Sequence, residues 1–187
     1  HFFDGFRTSH ELNVVENIKE EEIINLVDKN SLENFKKRAL NINNKNVYGT
    51  SQTEDIYFQI AESRNKLYDS MPDIVNEYME KINKIMNTDY KPFNYYGSLN
   101  AKNIIVAMGS VCDTIKLVID NEIKNGNDTY GLIEVHLYRP FSKKYLEMIL
   151  PKNIQKIAVL DRTKEPGSVG EPLYLDIVSS IRNTNIE

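Results

Sequence analysis

The chain has 187 residues, 41% hydrophobic and 27% charged, which suits one domain or two small ones with a packed core. A net charge of −4 leaves no electrostatic footprint for nucleic acid or an anionic membrane surface. No apolar run approaches the roughly 20 residues of a membrane-spanning helix, and no basic leader followed by an apolar stretch is legible at the start.

His1-Phe2-Phe3-Asp4-Gly5-Phe6 is aromatic-rich and reads like the inside of a fold, so the chain is expected to be an internal piece of a longer protein. Glu20–Val27 carries Ile23, Ile24 and Val27 at helical spacing. A second helix opens at Ser31-Leu32-Glu33-Asn34, with Ser31 or Asn30 as N-cap and Leu32, Phe35, Ala39 and Leu40 on one face. Val47-Tyr48-Gly49-Thr50 reads as a short extended piece. From Asp55 to about Asn87 the spacing predicts a long helical region with one break, restarted at Pro72 because proline suits a first helical turn. Ile74, Val75, Tyr78, Ile82 and Ile85 follow a three-to-four spacing there, and Glu77 and Lys81 can pair across one turn.

Thr88–Ser98, with its Pro, Gly and aromatics, reads as an ordered, docked linker. Beyond it, Asn103–Met108 is an apolar strand ended by Gly109-Ser110. A helix follows from Val111 or Cys112 to about Lys124. Tyr130–Tyr138 is a second strand, and Ser142 caps a short helix that ends before Pro151. Lys156–Leu160 is a third strand, and Glu171-Pro172 opens a third helix. Apolar strands alternating with helices predict an α/β fold: a doubly wound, mainly parallel sheet covered on both faces, with right-handed crossovers. A mostly helical segment precedes it. The expected domains are 1–89 and 90–187.

In such a sheet the carboxyl edge gathers the loops Gly109–Thr114, Tyr138–Ser142 and Asp161–Gly170. The candidate ligand or interface residues are Gly109, Ser110, Arg139, Asp161, Arg162, Lys164 and Glu165, alongside Asp113 and Thr114. Gly109-Ser110 ahead of a helix can offer N–H groups to an anion, or form a tight turn capped by Ser110, which is the preferred reading. Neither a Gly-x-Gly-x-x-Gly nor a Gly-Lys-Ser/Thr fingerprint is present. Arg139 can orient a partner's carboxylate or pair with Asp161 or Glu134, and the pair is preferred. The alternating charges of Asp161–Glu165 read as a salt-bridged loop or interface rim before they read as catalytic groups. No catalytic residue and no metal site is assigned. His1, His10 and His136 fit no metal spacing, and His136 reads as a hydrogen-bonded structural histidine. Cys112, the single cysteine, reads as a packed thiol. One cysteine forms no intrachain disulfide and cannot supply the four thiolates of an iron–sulfur cluster, and the chain reads as intracellular.

Several segments, in order, carry a resemblance. They are His1–Glu11, Gly49-Thr50-Ser51-Gln52 with Asp55-Ile56-Tyr57-Phe58-Gln59, Tyr95-Tyr96-Gly97, Ile105–Thr114, Leu137–Ser142 and Val159–Asp176 (VLDRTKEPGSVGEPLYLD). Together they resemble the pyruvate:ferredoxin (flavodoxin) oxidoreductases, across nearly the whole chain. The resemblance implies the end of a thiamine-pyrimidine domain in 1–89 and a transketolase-C-terminal-like domain II in 90–187, incomplete at its C-terminal end. It implies a parent that converts pyruvate and CoA to acetyl-CoA and CO2 while reducing ferredoxin or flavodoxin. That parent would use thiamine diphosphate, magnesium, [4Fe–4S] clusters and CoA, none of them held by this piece. The implied partners are the rest of the parent chain, a second copy in a homodimer, and the electron acceptor. The implied location is the cytoplasm, or an organelle in a protist. Tyr48 and Thr53-Glu54 depart from the family's pattern.

Overall fold

The computed structural model describes residue 5, residues 8–45 and residues 51–182. The expected extended piece at Val47–Thr50, and most of the aromatic opening, lie outside the described residues. The chain forms two compact units: Val15–Asp89, and the remainder of the chain on either side of it.

Among the described residues, the unit Val15–Asp89 holds four helices: α1 (Glu20–Leu26), α2 (Lys29–Lys37), α3 (Glu54–Ser63) and α4 (Asn65–Met86). The first turn of α1 is three glutamates, which favour the positive end of the helix, and Glu22 accepts a hydrogen bond from the Lys19 N–H at 3.2 Å. The N-cap of α2 is Asp28, not Ser31 or Asn30. Its carboxylate accepts from the Asn30 N–H at 3.0 Å and from the Ser31 hydroxyl at 2.6 Å, so the serine donates instead of capping. The break in the long helical region falls at Arg64, and Pro72 lies inside α4. A proline there removes one backbone donor, but the apolar stripe from Ile74 onward keeps the helix running past it. Asn87 ends α4 in the left-handed region at φ 52, which asparagine tolerates. Among the described residues of this unit, Pro72 is the one buried side chain; Phe35 is 65% exposed and Phe58 70%. The helices therefore present their apolar faces rather than closing a core.

The second unit is built on a four-stranded sheet in the order β1-β3-β2-β4: β1 (Phe93–Gly97), β2 (Asn103–Ala107), β3 (Tyr130–Val135) and β4 (Lys156–Val159). β2 runs parallel to both β3 and β4, while β1 lies antiparallel on β3 with Phe93 opposite Val135. The expected linker thus contains an edge strand, and the second and third strands are shorter than their apolar runs. Between the strands lie α5 (Val111–Lys124) and α6 (Lys143–Ile149), and α7 (Pro172–Ile181) follows β4.

Side-chain alternation divides the core in two. Ile104, Val106, Ile133, Val135 and Phe93 pack with Leu146 of α6 and Leu173, Ile177 and Ile181 of α7. Ala107 and Leu132, on the opposite face, pack with Cys112, Ile115 and Ile119 of α5. Helices therefore flank both faces, as a doubly wound sheet requires. The covering is incomplete at β4: Ile157 and Val159 pack inward on the α6–α7 face, while Lys156 and Ala158 on the other face stay exposed. The expectation of a mainly parallel sheet with helices on both faces holds, with α5 lying over β3 and β1.

Candidate functional site

Because β2, β3 and β4 are parallel, the loops that leave them emerge at one edge. After β2 the chain turns at Gly109, whose φ of 79 suits glycine, and enters α5. Ser110 occupies the N-cap position but its side chain does not cap. Its backbone is helical (φ −61, ψ −21) instead of extended, which turns the hydroxyl away from the first-turn N–H groups. The Cys112 N–H closes the turn onto the Gly109 carbonyl at 3.1 Å. The Ser110 hydroxyl accepts from the Thr8 hydroxyl at 3.4 Å.

After β3, Arg139 lies across the Tyr138 ring, its guanidinium carbon 3.9 Å from the centroid, at a cis Arg139-Pro140 bond. Nη1 donates to Asp176 at 2.6 Å and Nη2 to the Tyr138 hydroxyl at 3.1 Å. The expected partners of Arg139 are corrected: neither Asp161 nor Glu134 pairs with it, since each is engaged elsewhere. Glu134 holds Lys116 at 2.8 Å. Burial raises the Tyr138 hydroxyl above the ordinary tyrosine range, against the opposing pull of Arg139.

The loop after β4 is tied to the start of α7. Asp161 accepts from the Leu173 N–H at 2.9 Å. Lys164 donates to Glu171 at 2.7 Å, and the Glu165 N–H donates to the other oxygen of Glu171 at 2.7 Å. The hydrogen bond from Lys164 holds the Glu171 carboxyl below its usual range. Arg162 is exposed on the same loop. Arg139, Asp161, Lys164 and Glu165 therefore converge on α7, whereas Gly109 and Ser110 lead into α5 on the other face of the sheet.

Sequence reasoning passed over Asp176, Tyr138 and the Lys116–Glu134 pair. Asp176 carried a signal: it stands between Leu173 and Ile177, where a half-buried charge on an apolar helix face needs a partner. Elsewhere, His136 Nδ1 lies 3.0 Å from the Lys91 carbonyl and its ring meets Tyr90 edge-on. Cys112 is 4% exposed in the α5 core, and burial, reinforced by the Glu134 charge, pushes its thiol up to about 11. That is the opposite of an activated nucleophile. In the helical unit a cleft of about 820 Å³ between α1, α2 and α4 is lined by Ile23, Leu26, Leu32 and Ile74, with Asp28 and Lys81. Among the described residues no group of three or more His, Cys, Asp or Glu converges as a metal site, and no helix is long and apolar enough to cross a membrane. One buried cysteine does not fit an iron–sulfur cluster, so no electron-transfer step is assigned to these residues.

Two family models match the chain in succession. One, described as pyruvate flavodoxin/ferredoxin oxidoreductase, thiamine diphosphate-binding, covers residues 1–80. The other, pyruvate:ferredoxin oxidoreductase core domain II, covers residues 101–187. The chain belongs to the pyruvate:ferredoxin/flavodoxin oxidoreductase family. A pyruvate-flavodoxin oxidoreductase of Enterobacter agglomerans is 47% identical over 184 residues, 98% of this chain and 16% of that protein. A pyruvate:ferredoxin oxidoreductase of Moorella thermoacetica is 45% identical over 95% of this chain and 15% of its own length. A pyruvate dehydrogenase [NADP(+)] of Cryptosporidium parvum is 43% identical over 99% of this chain and 10% of its own length. The chain spans about a sixth or less of these pyruvate oxidoreductase relatives.

Proposed function

We propose that this chain is an interior part of a pyruvate:acceptor oxidoreductase, acting as scaffold and domain interface. Residues 1–89 belong to the end of the thiamine-pyrimidine domain and residues 90–187 to domain II. The observation that supports this most is the succession of the two family matches, in order, along one chain. The site geometry agrees with it. Arg139, Asp161, Lys164 and Glu165 are engaged in bonds that fasten loops to α7, and none is paired with a general base or an activated nucleophile. The exposed apolar faces of α1 to α4 suit burial against further protein.

The whole protein would oxidise pyruvate with CoA to acetyl-CoA and CO2, with thiamine diphosphate supplying the carbanion chemistry and iron–sulfur clusters carrying electrons. The relatives are named for flavodoxin, ferredoxin and NADP(+) alike, yet match this stretch comparably. That similarity supports a reading in which acceptor choice lies outside this chain. Work in the cytoplasm, or in a protist organelle, and assembly as a homodimer belong to the same proposal.

The test is CoA-dependent viologen reduction by the full-length protein, purified without oxygen, with pyruvate and 2-oxoglutarate side by side. Pyruvate-selective reduction is expected. No reduction with either substrate in a cofactor-loaded sample would refute the reading. The scaffold role is tested separately by titrating the protein truncated to these residues with thiamine diphosphate and with CoA. Saturable micromolar binding of either would overturn the scaffold reading.

A further inference from the structure

Helix α7 is apolar on more than the face it gives to the core. Leu173, Ile177 and Ile181 are buried against the sheet. Tyr174, Leu175 and Val178 remain 44%, 38% and 39% exposed. Tyr174 and Val178 stand four apart and Leu175 and Val178 three apart, so the three share one side of the helix. The loop before the helix extends this surface. Val169 is 93% exposed, yet its loop is held in place. The Ser168 N–H donates to the Glu165 carbonyl at 3.1 Å, and the Ser168 hydroxyl donates to the Gly170 carbonyl at 2.7 Å. Gly170 lets the helix lie close, since a Cβ there would collide with the Tyr174 ring and stand 3.3 Å from Leu175 Cδ2. Loop and helix therefore present Val169, Tyr174, Leu175 and Val178 as one ordered surface.

Charge decides what such a surface fits. From Pro166 to Ile181 the one charged side chain is Asp176, and Arg139 takes it up at 2.6 Å. A helix that is apolar all round belongs in an interior. Obligate interfaces resemble a domain core cut in half, whereas redox encounters are small and charge steers association. The four side chains offer an electron carrier no charge. The chain spans about a sixth or less of its relatives, so most of a parent of that length lies outside it. We propose that Val169, Tyr174, Leu175 and Val178 seat a permanent interface, occupied by an uncharged apolar face of the parent chain outside residues 1–187. This deepens the domain-interface reading and rests on the chain being an interior piece; it does not depend on the reaction catalysed.

The test places the photo-crosslinker p-benzoylphenylalanine at Val169, and separately at Leu175, in the full-length protein. After irradiation, peptide mapping should join each position to an apolar peptide outside residues 1–187, in a product that keeps the mass of one copy on a denaturing gel. A covalent dimer overturns the proposal in favour of a second copy. Attachment to added flavodoxin or ferredoxin overturns it in favour of an acceptor-docking site. Crosslinks confined to residues 1–187, or none, overturn it outright. If the crosslinker disturbs folding, hydrogen exchange on full-length Val169→Asp and Val178→Asp decides. Faster exchange in a peptide outside residues 1–187 supports the interface, and a change confined to the loop and α7 overturns it. None of these readouts uses pyruvate turnover, so a failed oxidation assay and a failed interface remain distinguishable.

Discussion

The Asp161 carboxylate accepts a hydrogen bond from the Leu173 N–H at 2.9 Å, fastening the loop after β4 to the first turn of α7. The bond satisfies a donor that the helix itself leaves unpaired, and it sets a negative charge at the positive helix end. Asp161→Ala should lower stability by about 1 kcal/mol, with Asp161→Asn losing less because the amide oxygen still accepts. Urea midpoints of the two variants check this. Equal midpoints for wild type and Asp161→Ala would return Asp161 to the list of candidate ligands.

Arg139 joins the loop after β3 to α7 through Asp176 and lies over Tyr138. The pair is partly solvated, with side-chain exposures of 53% and 27%. Arg139→Ala should therefore cost about 1 kcal/mol, most of it from lost stacking and packing over the ring. Arg139→Lys should recover little, since an ammonium cannot reproduce the planar fork. In the full-length protein, Arg139→Ala and Arg162→Ala are expected to change melting temperature or assembly more than the KM for pyruvate. A large loss of turnover with unchanged melting temperature and oligomeric state would reject that.

The strands β2 and β4 and the helices α5 to α7 were legible because their apolar spacing agrees with their final environment. β1 was not. Phe93-Asn94-Tyr95-Tyr96-Gly97 follows a proline and ends in a glycine, a composition shared by turns, and only pairing with β3 makes it a strand. Pro72 misled in the opposite direction, because the helix on either side overrides a local breaker. The loops of the candidate site were located correctly by the parallel topology. Their pairings were not, since Arg139 meets Asp176 only after α7 has folded back along the sheet. The Ser110 hydroxyl shows the same limit: its position in the chain suggested a cap, while its backbone angles direct it elsewhere.

Gly97 closes β1 at φ +113, and a Cβ there would stand 2.9 Å from the Tyr130 carbonyl and 3.1 Å from the Gly131 Cα. Both obstacles are backbone of the paired strand, so neither can swing aside. Gly97→Ala should destabilise by about 1–3 kcal/mol through strain and a displaced edge strand. Gly126→Ala is the comparison. It shares a positive φ, but a Cβ there meets nothing within 4 Å, so its loss should be smaller. Denaturation midpoints for the two variants measure the difference. A Gly126 variant as unstable as the Gly97 variant would assign the cost to backbone conformation alone.

Cys112 is packed against Ile115, Ile119 and Leu132 under α5, and burial pushes its thiol up to about 11. The sign of the linkage follows from that direction. The unfolded chain releases this proton near the ordinary thiol range, about 8.5, while the folded chain retains it. The resulting stabilisation is complete below that range and is lost as pH rises through about 11. Iodoacetamide should modify Cys112 slowly in the folded protein at about pH 8 and rapidly in urea, because the thiolate is scarce and the sulfur is covered. Cys112→Ala should remain folded, with a shallower fall in urea midpoint between about pH 8 and pH 10 than wild type. Fast modification of the folded protein at neutral pH would contradict the packed thiol and make Cys112 a reactive group.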